Sequence, residues 1–309
     1  NSNYSLTVQS PASATITAKA LTMSGLSSQD KVYDGTTSAA VSGTAALLSA
    51  EAVGTGTTAD GKPYTGDTVS LSGSVAANFN SKDVASATQV AYTGLSLIGS
   101  SASNYTLTSH AVNTTARITP AALTVTVNDD AKFLVETDRV GFNGVSYSGF
   151  VNGETSSVLG GSVTITRSNA STNTSGTHTG VLGATGLTSS NYAITYLPGN
   201  FTITPANQLL VSVTNASTSY GSSAQYAINS VKYYNDPTND GIDNGTVYIL
   251  GSGGVAGSSV SINSSNLVTI NDGAGGTATF TLAPNSGVFS QANKLSVGSY
   301  QLGVSGAVT

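Results

Sequence analysis

The chain has 309 residues, a formal charge of −5 and only 8% charged residues, about a third of the ~25% of an ordinary globular protein. Its ten Lys and Arg never stand side by side, which excludes nucleic-acid binding by phosphate neutralisation. No run approaches the ~20 apolar residues of a membrane span, the absence of Cys excludes disulfides, and 39% apolar residues exclude simple disorder.

In chain order, the first feature is a block that recurs. Asn3-Tyr4-Ser5-Leu6-Thr7 returns as Asn104-Tyr105-Thr106-Leu107-Thr108 and as Asn191-Tyr192-Ala193-Ile194-Thr195. Each copy is followed by an Ile-Thr pair, at Ile16-Thr17, Ile118-Thr119 and Ile203-Thr204. The tyrosines stand 101 and 87 positions apart, a period that means whole domains in tandem rather than a solenoid of small repeats. Residues 1–18 are therefore expected to end a preceding repeat, with modules at 19–118, 119–204 and 205–309, the last divergent and truncated before its own Asn-Tyr block. A tyrosine repeated in every module reads as architectural, its ring covering the core and its phenol reaching water or a backbone carbonyl. The Ile-Thr-Pro junctions at Pro120 and Pro205 stiffen the chain, since proline fixes φ and cannot donate to a ladder. They predict an elongated rod.

Strand signals run through all three modules. Leu123-Thr124-Val125-Thr126-Val127, Val163-Thr164-Ile165 and Thr277-Ala278-Thr279-Phe280-Thr281-Leu282 alternate apolar and polar residues, the period of a half-buried strand. Asp34-Gly35, Asp60-Gly61, Asn152-Gly153, Asn244-Gly245 and Asp272-Gly273 supply turns. One short helix is predicted over 152–159, with Asn152 as cap, Glu154 in its first turn and Gly160-Gly161 as its stop. The fold class is thus mainly all-β: small sandwiches, with a β-grasp-like module as the alternative for 119–204.

Two motif series then resemble known modules. Lys31-Val32-Tyr33-Asp34-Gly35-Thr36-Thr37, Gly66-Asp67-Thr68-Val69 and Asn78-Phe79-Asn80-Ser81-Lys82-Asp83-Val84 resemble the YDG module of filamentous-haemagglutinin-type adhesins. Gly149-Phe150-Val151-Asn152-Gly153-Glu154-Thr155, with Asn191-Tyr192 and Ile203-Thr204-Pro205-Ala206, resembles the accompanying MBG module. Phe133-Leu134-Val135 stands where that family carries a Tyr-Gly turn, and 49–66 reads as an insertion. The resemblance implies a non-enzymatic stalk segment of a bacterial two-partner-secretion adhesin, extracellular or on a Gram-negative surface and involved in attachment or biofilm. It implies an outer-membrane export partner and host-cell or biofilm glycans or proteins as targets of the parent adhesin. The segment itself is expected to be monomeric.

Material for catalysis is scarce. The two histidines, His110 and His178, fall in different modules, and no Gly-x-Ser-x-Gly elbow occurs. Glu51, Glu136 and Glu154 are far apart in sequence, so a paired-carboxylate glycosidase has nothing in its favour. No catalytic residue and no cofactor are expected, apart from Ca²⁺. Asp236, Asp240 and Asp243 crowd beside Gly241, and alternate oxygen ligands with a central Gly suit that ion. Thr238 at the third position and Val247 at the twelfth depart from the pattern and favour a solvated acidic loop. In the divergent third module Tyr233, Tyr234 and Tyr248, with Tyr226, are the aromatic residues that could stack on sugars in an adhesive tip; the competing reading is cross-strand packing.

Overall fold

The computed structural model describes residues 15–108, 110–113, 116–214, 216–238, 244–285, 287–298, 300 and 302–305. They are almost entirely β. The helical content of the described residues is two three-residue 3₁₀ turns, Ala102–Asn104 and Ser156–Val158. The helix expected over 152–159 is therefore absent as such. Asn152 lies at φ +50 and Gly153 at φ +71, left-handed values that end regular structure. Thr155, not Asn152, caps the turn by accepting from the Ser157 N–H.

The chain forms two compact units. Of the described residues, the first takes those up to Val125 together with 147–162 and 187–195; the second takes those in 126–146, 163–186 and from Tyr196 onward. Strand Ala121–Val127 shows why the alternation was readable: Ala121, Leu123, Val125 and Val127 are buried and the threonines between them less so.

In the first unit, Ser38–Ala39, Ser70–Phe79, Gln89–Ile98 and His110–Asn113 form an antiparallel four-stranded sheet in that order. Met23–Ser28 pairs with Val41–Leu47, and Lys19–Leu21 runs parallel to Tyr105–Leu107. Lys31–Val32 runs parallel to Ile118–Thr119. The core gathers Met23, Tyr33, Phe79, Val90, Tyr92, Ile118, Leu123 and Tyr192. Residues from the second sequence repeat thus sit in one core with the first.

In the second unit, Asp130–Phe133, Gly199–Thr204, Gly176–Thr188 and Gly160–Arg167 form a sheet in that order over a core of Val127, Leu182, Phe201 and Ile203. Arg167 is buried there with its guanidinium 4.7 Å from the Phe201 ring centroid. It donates to both oxygens of Asp138, at 2.8 and 3.1 Å, and to the carbonyls of Asn169, Ala170 and Thr172. Two further sheets of this unit lie among the described residues. One is Leu209–Thr214, Ala227–Asn235 and Thr246–Leu250; the other is Ser259–Ile262, Leu267–Asn271, Thr277–Pro284 and Leu302–Ser305. Val231, Leu250, Val268, Ile270, Phe280 and Leu282 fill the core they share.

Candidate functional site

A densely connected polar cluster lies in the first unit. It grows from the Lys31–Val32 strand, whose pairing with Ile118–Thr119 is extended when the Tyr33 N–H donates to the Thr119 carbonyl at 2.8 Å. That ladder sends the Tyr33 ring into the core, where it is 2% exposed. The turn after it is built locally: Asp34 Oδ1 accepts from the Thr36 N–H and hydroxyl, each at 2.8 Å, and pairs with Lys31. Gly35 must be glycine twice over. Its φ is +77, and a Cβ there would stand 2.8 Å from the Cβ of Asn152.

Opposite it, Val151-Asn152-Gly153-Glu154 closes a tight turn in which the Glu154 N–H donates to the Val151 carbonyl at 2.9 Å. The turn presents Glu154 to two phenols. Tyr33 Oη donates to Oε1 at 2.7 Å, and Tyr192 Oη donates to Oε2 at 2.6 Å. Lys82 Nζ donates to Tyr33 Oη at 2.9 Å and lies 3.5 Å from Glu154 Oε1. The Tyr192 ring meets Tyr33 edge-on at 5.5 Å and Phe150 edge-on at 5.4 Å, and its oxygen accepts the Val151 N–H at 3.2 Å. Beside it, Asn191 Oδ1 accepts the Val84 N–H at 3.0 Å while its Nδ2 donates to Asp83 Oδ1 at 2.8 Å.

Each ionisable group of the cluster is shifted by its neighbours. Burial alone would raise the Glu154 pKa, but the phenols of Tyr192 and Tyr33 and the Lys82 ammonium overcome it and hold the carboxyl below its usual range. Burial, with the Glu154 charge beside them, pushes both phenols up. The hydrogen bond to Tyr33, with Asp83 next, pushes Lys82 up. The Asn191 amide and Lys82 pull Asp83 down. Such an arrangement holds two segments together; a general acid or base needs a group poised near the working pH, and these shifts all lead away from neutrality.

The same construction recurs at the preceding Asn-Tyr pair, Asn104-Tyr105. Tyr105 Oη donates to Asp67 and accepts the Tyr64 N–H at 3.0 Å. Carboxylate and tyrosine are 38 positions apart in both cases, and the N–H donor and tyrosine 41. The expectation that these tyrosines cover the core is met, at 6% and 3% exposure for Tyr105 and Tyr192. Their phenols, however, reach a carboxylate and a backbone N–H rather than water or a carbonyl, because a buried hydroxyl next to an acid gains the stronger, charge-assisted bond. Sequence reasoning missed Glu154, Asp67, Lys82 and Asp83 in this role. The signal was the shared offset from Gly-Asp at 66–67 and Gly-Glu at 153–154 to the next Asn-Tyr.

The residues singled out in the third module are brought together only in part. Tyr234 is fully buried, packs on Phe133 with centroids 5.7 Å apart, and its Oη accepts the Gly245 N–H at 3.3 Å. No face of it is left for a sugar. Tyr233 and Tyr248 are directly opposite each other on paired strands, with Tyr248 39% exposed. Tyr226 is half-buried against the same core. Asp236 is 4% exposed; its Oδ1 accepts from the Thr238 hydroxyl at 2.8 Å, and its N–H donates to Asn207 Oδ1 at 3.2 Å. Asp240 and Asp243, the other two proposed Ca²⁺ ligands, lie outside the described residues. Among the described residues no group of three or more acidic or His side chains is placed to hold a metal. His178 is half-buried on its strand, its Nε2 3.0 Å from the Thr174 carbonyl. No described helix is long and apolar enough to cross a membrane.

Comparison with known domains falls on the two segments that share the cluster. Residues 17–116 match the YDG domain. Residues 123–202 match the MBG domain of YGX type. The Tyr33–Glu154–Tyr192 cluster thus joins a YDG-like module to an MBG-like one. Both domain types are found in adhesin-like proteins and are non-catalytic. No curated protein and no solved structure matches the chain significantly. The register also explains the departure at 133–135. Ile203 pairs with Lys132 as Ile118 pairs with Lys31, and the Leu134 N–H donates to Thr204 as Tyr33 donates to Thr119. Leu134 therefore occupies the place of Tyr33, and where a tyrosine would be expected the MBG-like segment has an aliphatic side chain.

Proposed function

We propose that this chain is a non-enzymatic structural segment of a secreted or surface-anchored bacterial adhesin, a stalk that carries an attachment or biofilm function located elsewhere in the parent protein. One observation carries the reading. The most elaborate polar cluster of the first unit spends its carboxylate, both phenols, its lysine and its asparagine on one another across two modules, leaving the groups that could have done chemistry committed to holding the modules together. The YDG and MBG matches support an extracellular location and an adhesin-type parent. Low charge and many short polar side chains suit a chain exported unfolded through an outer-membrane partner of a Gram-negative cell, where it folds outside.

A second reading places an adhesive surface on the third module, favoured by the cross-strand pair Tyr233 and Tyr248 with its exposed ring. The two readings separate in one experiment. The purified chain is offered to a glycan array and to host cells. The structural reading expects no saturable binding, and expects that deleting the segment from its parent adhesin impairs attachment unless an unrelated β-module of similar length replaces it. Saturable binding that disappears in the Tyr233→Ala/Tyr248→Ala double variant would overturn it in favour of the tip.

A further inference from the structure

The YDG-like module repeats, at its other end, the face through which the MBG-like module is held, and no described residue fills the equivalent seats there. Three groups join the MBG-like module to its predecessor: Ile118 in the connection between the two, and Glu154 and Asn191 within the MBG match. Ile118, 3% exposed, opens the connection by pairing in parallel with Lys31. Glu154 accepts Tyr33 while Lys82 lies beside it. Asn191 binds Asp83 and the Val84 N–H.

Their counterparts follow from the repeat. Ile16 corresponds to Ile118, since each heads an Ile-Thr pair and is followed three positions later by the strand that meets the Asn-Tyr block: Lys19 pairs with Tyr105, and the Ala121 N–H donates to the Asn191 carbonyl. Asp67 corresponds to Glu154 through the shared 38-residue offset. Asn104 corresponds to Asn191. Ile16 is 99% exposed, against 3% and 0% for Ile118 and Ile203. Asp67 is exposed, and the one hydrogen bond its carboxylate makes among the described residues, from Tyr105, uses Oδ2 alone. The Asn104 side chain is exposed and makes no hydrogen bond among the described residues. A single exposed isoleucine is ordinary on a protein surface; what sets Ile16 apart is that both of its counterparts in the repeat, Ile118 and Ile203, are seated in a core.

We propose that Ile16, Thr17, Asp67 and Asn104 form a docking surface for another module of the same kind. The partner is defined by what fills the equivalent face: a Lys-x-Tyr strand to pair in parallel with Ile16-Thr17, its phenol and a lysine to reach Asp67, and an Asp-Val step to meet Asn104. The occupant is thus a module of YDG type, and the joint would be the same device used twice along a polypeptide.

The test replaces residues 1–15 with a second copy of residues 19–117, so that Ile16 takes the position of that copy's Ile118. Ile16→Ala and Asn104→Ala are made in this extended chain and in the chain as it is. In the latter both positions are solvent-facing and the melting midpoint is expected to stay within about 1 °C. In the extended chain each substitution is expected to lower it by about 4 °C or more. Equal effects of each substitution in the two chains would overturn the proposal. A second readout uses the absence of native Cys. Asp83→Cys/Asn191→Cys in the present chain is the positive control for oxidation. In the extended chain, cysteines at position 83 of the added copy and at Asn104 should oxidise as readily; if they stay reduced while the control pair closes, the face is not a docking surface.

Discussion

Tyr33 and Tyr192 meet edge to face, ring centroids 5.5 Å apart, and donate to the two oxygens of the single carboxylate of Glu154. One residue comes from a YDG-like segment and the other from an MBG-like one. The matched modules and the compact units therefore have different borders: the MBG-like segment is divided between the two units.

Removing the carboxylate should loosen both phenols together. Glu154→Gln keeps the shape and one acceptor but loses the charge that makes the bonds strong; a cost of ~1–3 kcal/mol is expected. Tyr192→Ala should cost more, ~3–5 kcal/mol, because it also opens a cavity beside Phe150 and Leu123. Urea unfolding of the two variants checks the order. A Tyr192→Ala protein as stable as the parent would mean the ring is not holding this core.

The cluster also sets a pH window. Glu154 and Asp83 have depressed pKa values in the folded state, so they add stability that is complete above their ordinary range and is lost as pH falls below it, from 4.5 downward for Glu154. Tyr33, Tyr192 and Lys82 are raised, so their contribution is complete below their ordinary values and fades as pH rises above 10.0 for the tyrosines. Melting curves across pH should show a plateau with a fall on both sides. In Glu154→Gln the acid limb should flatten; an unchanged acid limb would assign it to other carboxylates.

Gly35 allows a sharper geometric check. Gly35→Ala pays for a left-handed φ, about 1–2 kcal/mol, and in addition for the clash with Asn152. Asn152→Gly removes the clash without touching the backbone cost. Measured by denaturant unfolding, the double variant should recover part of the loss, giving a non-zero coupling energy. Strict additivity would show that the two turns do not touch.

In the second unit, Arg167 is held by two oxygens of Asp138, three carbonyls and a ring face. Burial tends to raise the Asp138 pKa, yet Arg167 and Lys132 bring it down overall. Arg167→Ala leaves Asp138 to Lys132 alone, removes the donor to three carbonyls and opens a cavity beside Phe201, and should destabilise by ~3–5 kcal/mol. Arg167→Lys should not restore it, since an ammonium cannot make the fork or the stack. Calorimetric melting decides, with rescue by lysine as the contrary outcome.

How much of this was legible beforehand depended on range. Alternation in Ala121–Val127 and Thr277–Pro284 announced strands because burial on one face leaves a period of two in the sequence. The architectural role of Tyr105 and Tyr192 was readable because repetition exposed it. The 152–159 helix was misjudged because Asn152-Gly153 is equally a cap and a left-handed turn, and only contact with Gly35 selects the turn. Glu154 as the shared acceptor was hidden for the same reason: its partners Tyr33 and Tyr192 are 121 and 38 positions away, and nothing local distinguishes a buried acid from a solvated one. In the third module Tyr234, read as a stacking candidate, turned inward because it alternates with Tyr233 on one strand, and a strand can offer only one of two neighbours to solvent.

The parallel pairing of opening and closing strands has a mechanical meaning. Lys31–Val32 lies beside Ile118–Thr119, and Asp130–Phe133 beside Gly199–Thr204, each pair running in the same direction. Tension drawn through the polypeptide pulls the start of the first strand and the end of the second toward opposite ends of the pair. The hydrogen bonds between them are then sheared together instead of being peeled open one after another. A segment of low charge, without a single covalent cross-link, can in this way resist a steady pull through strand direction alone.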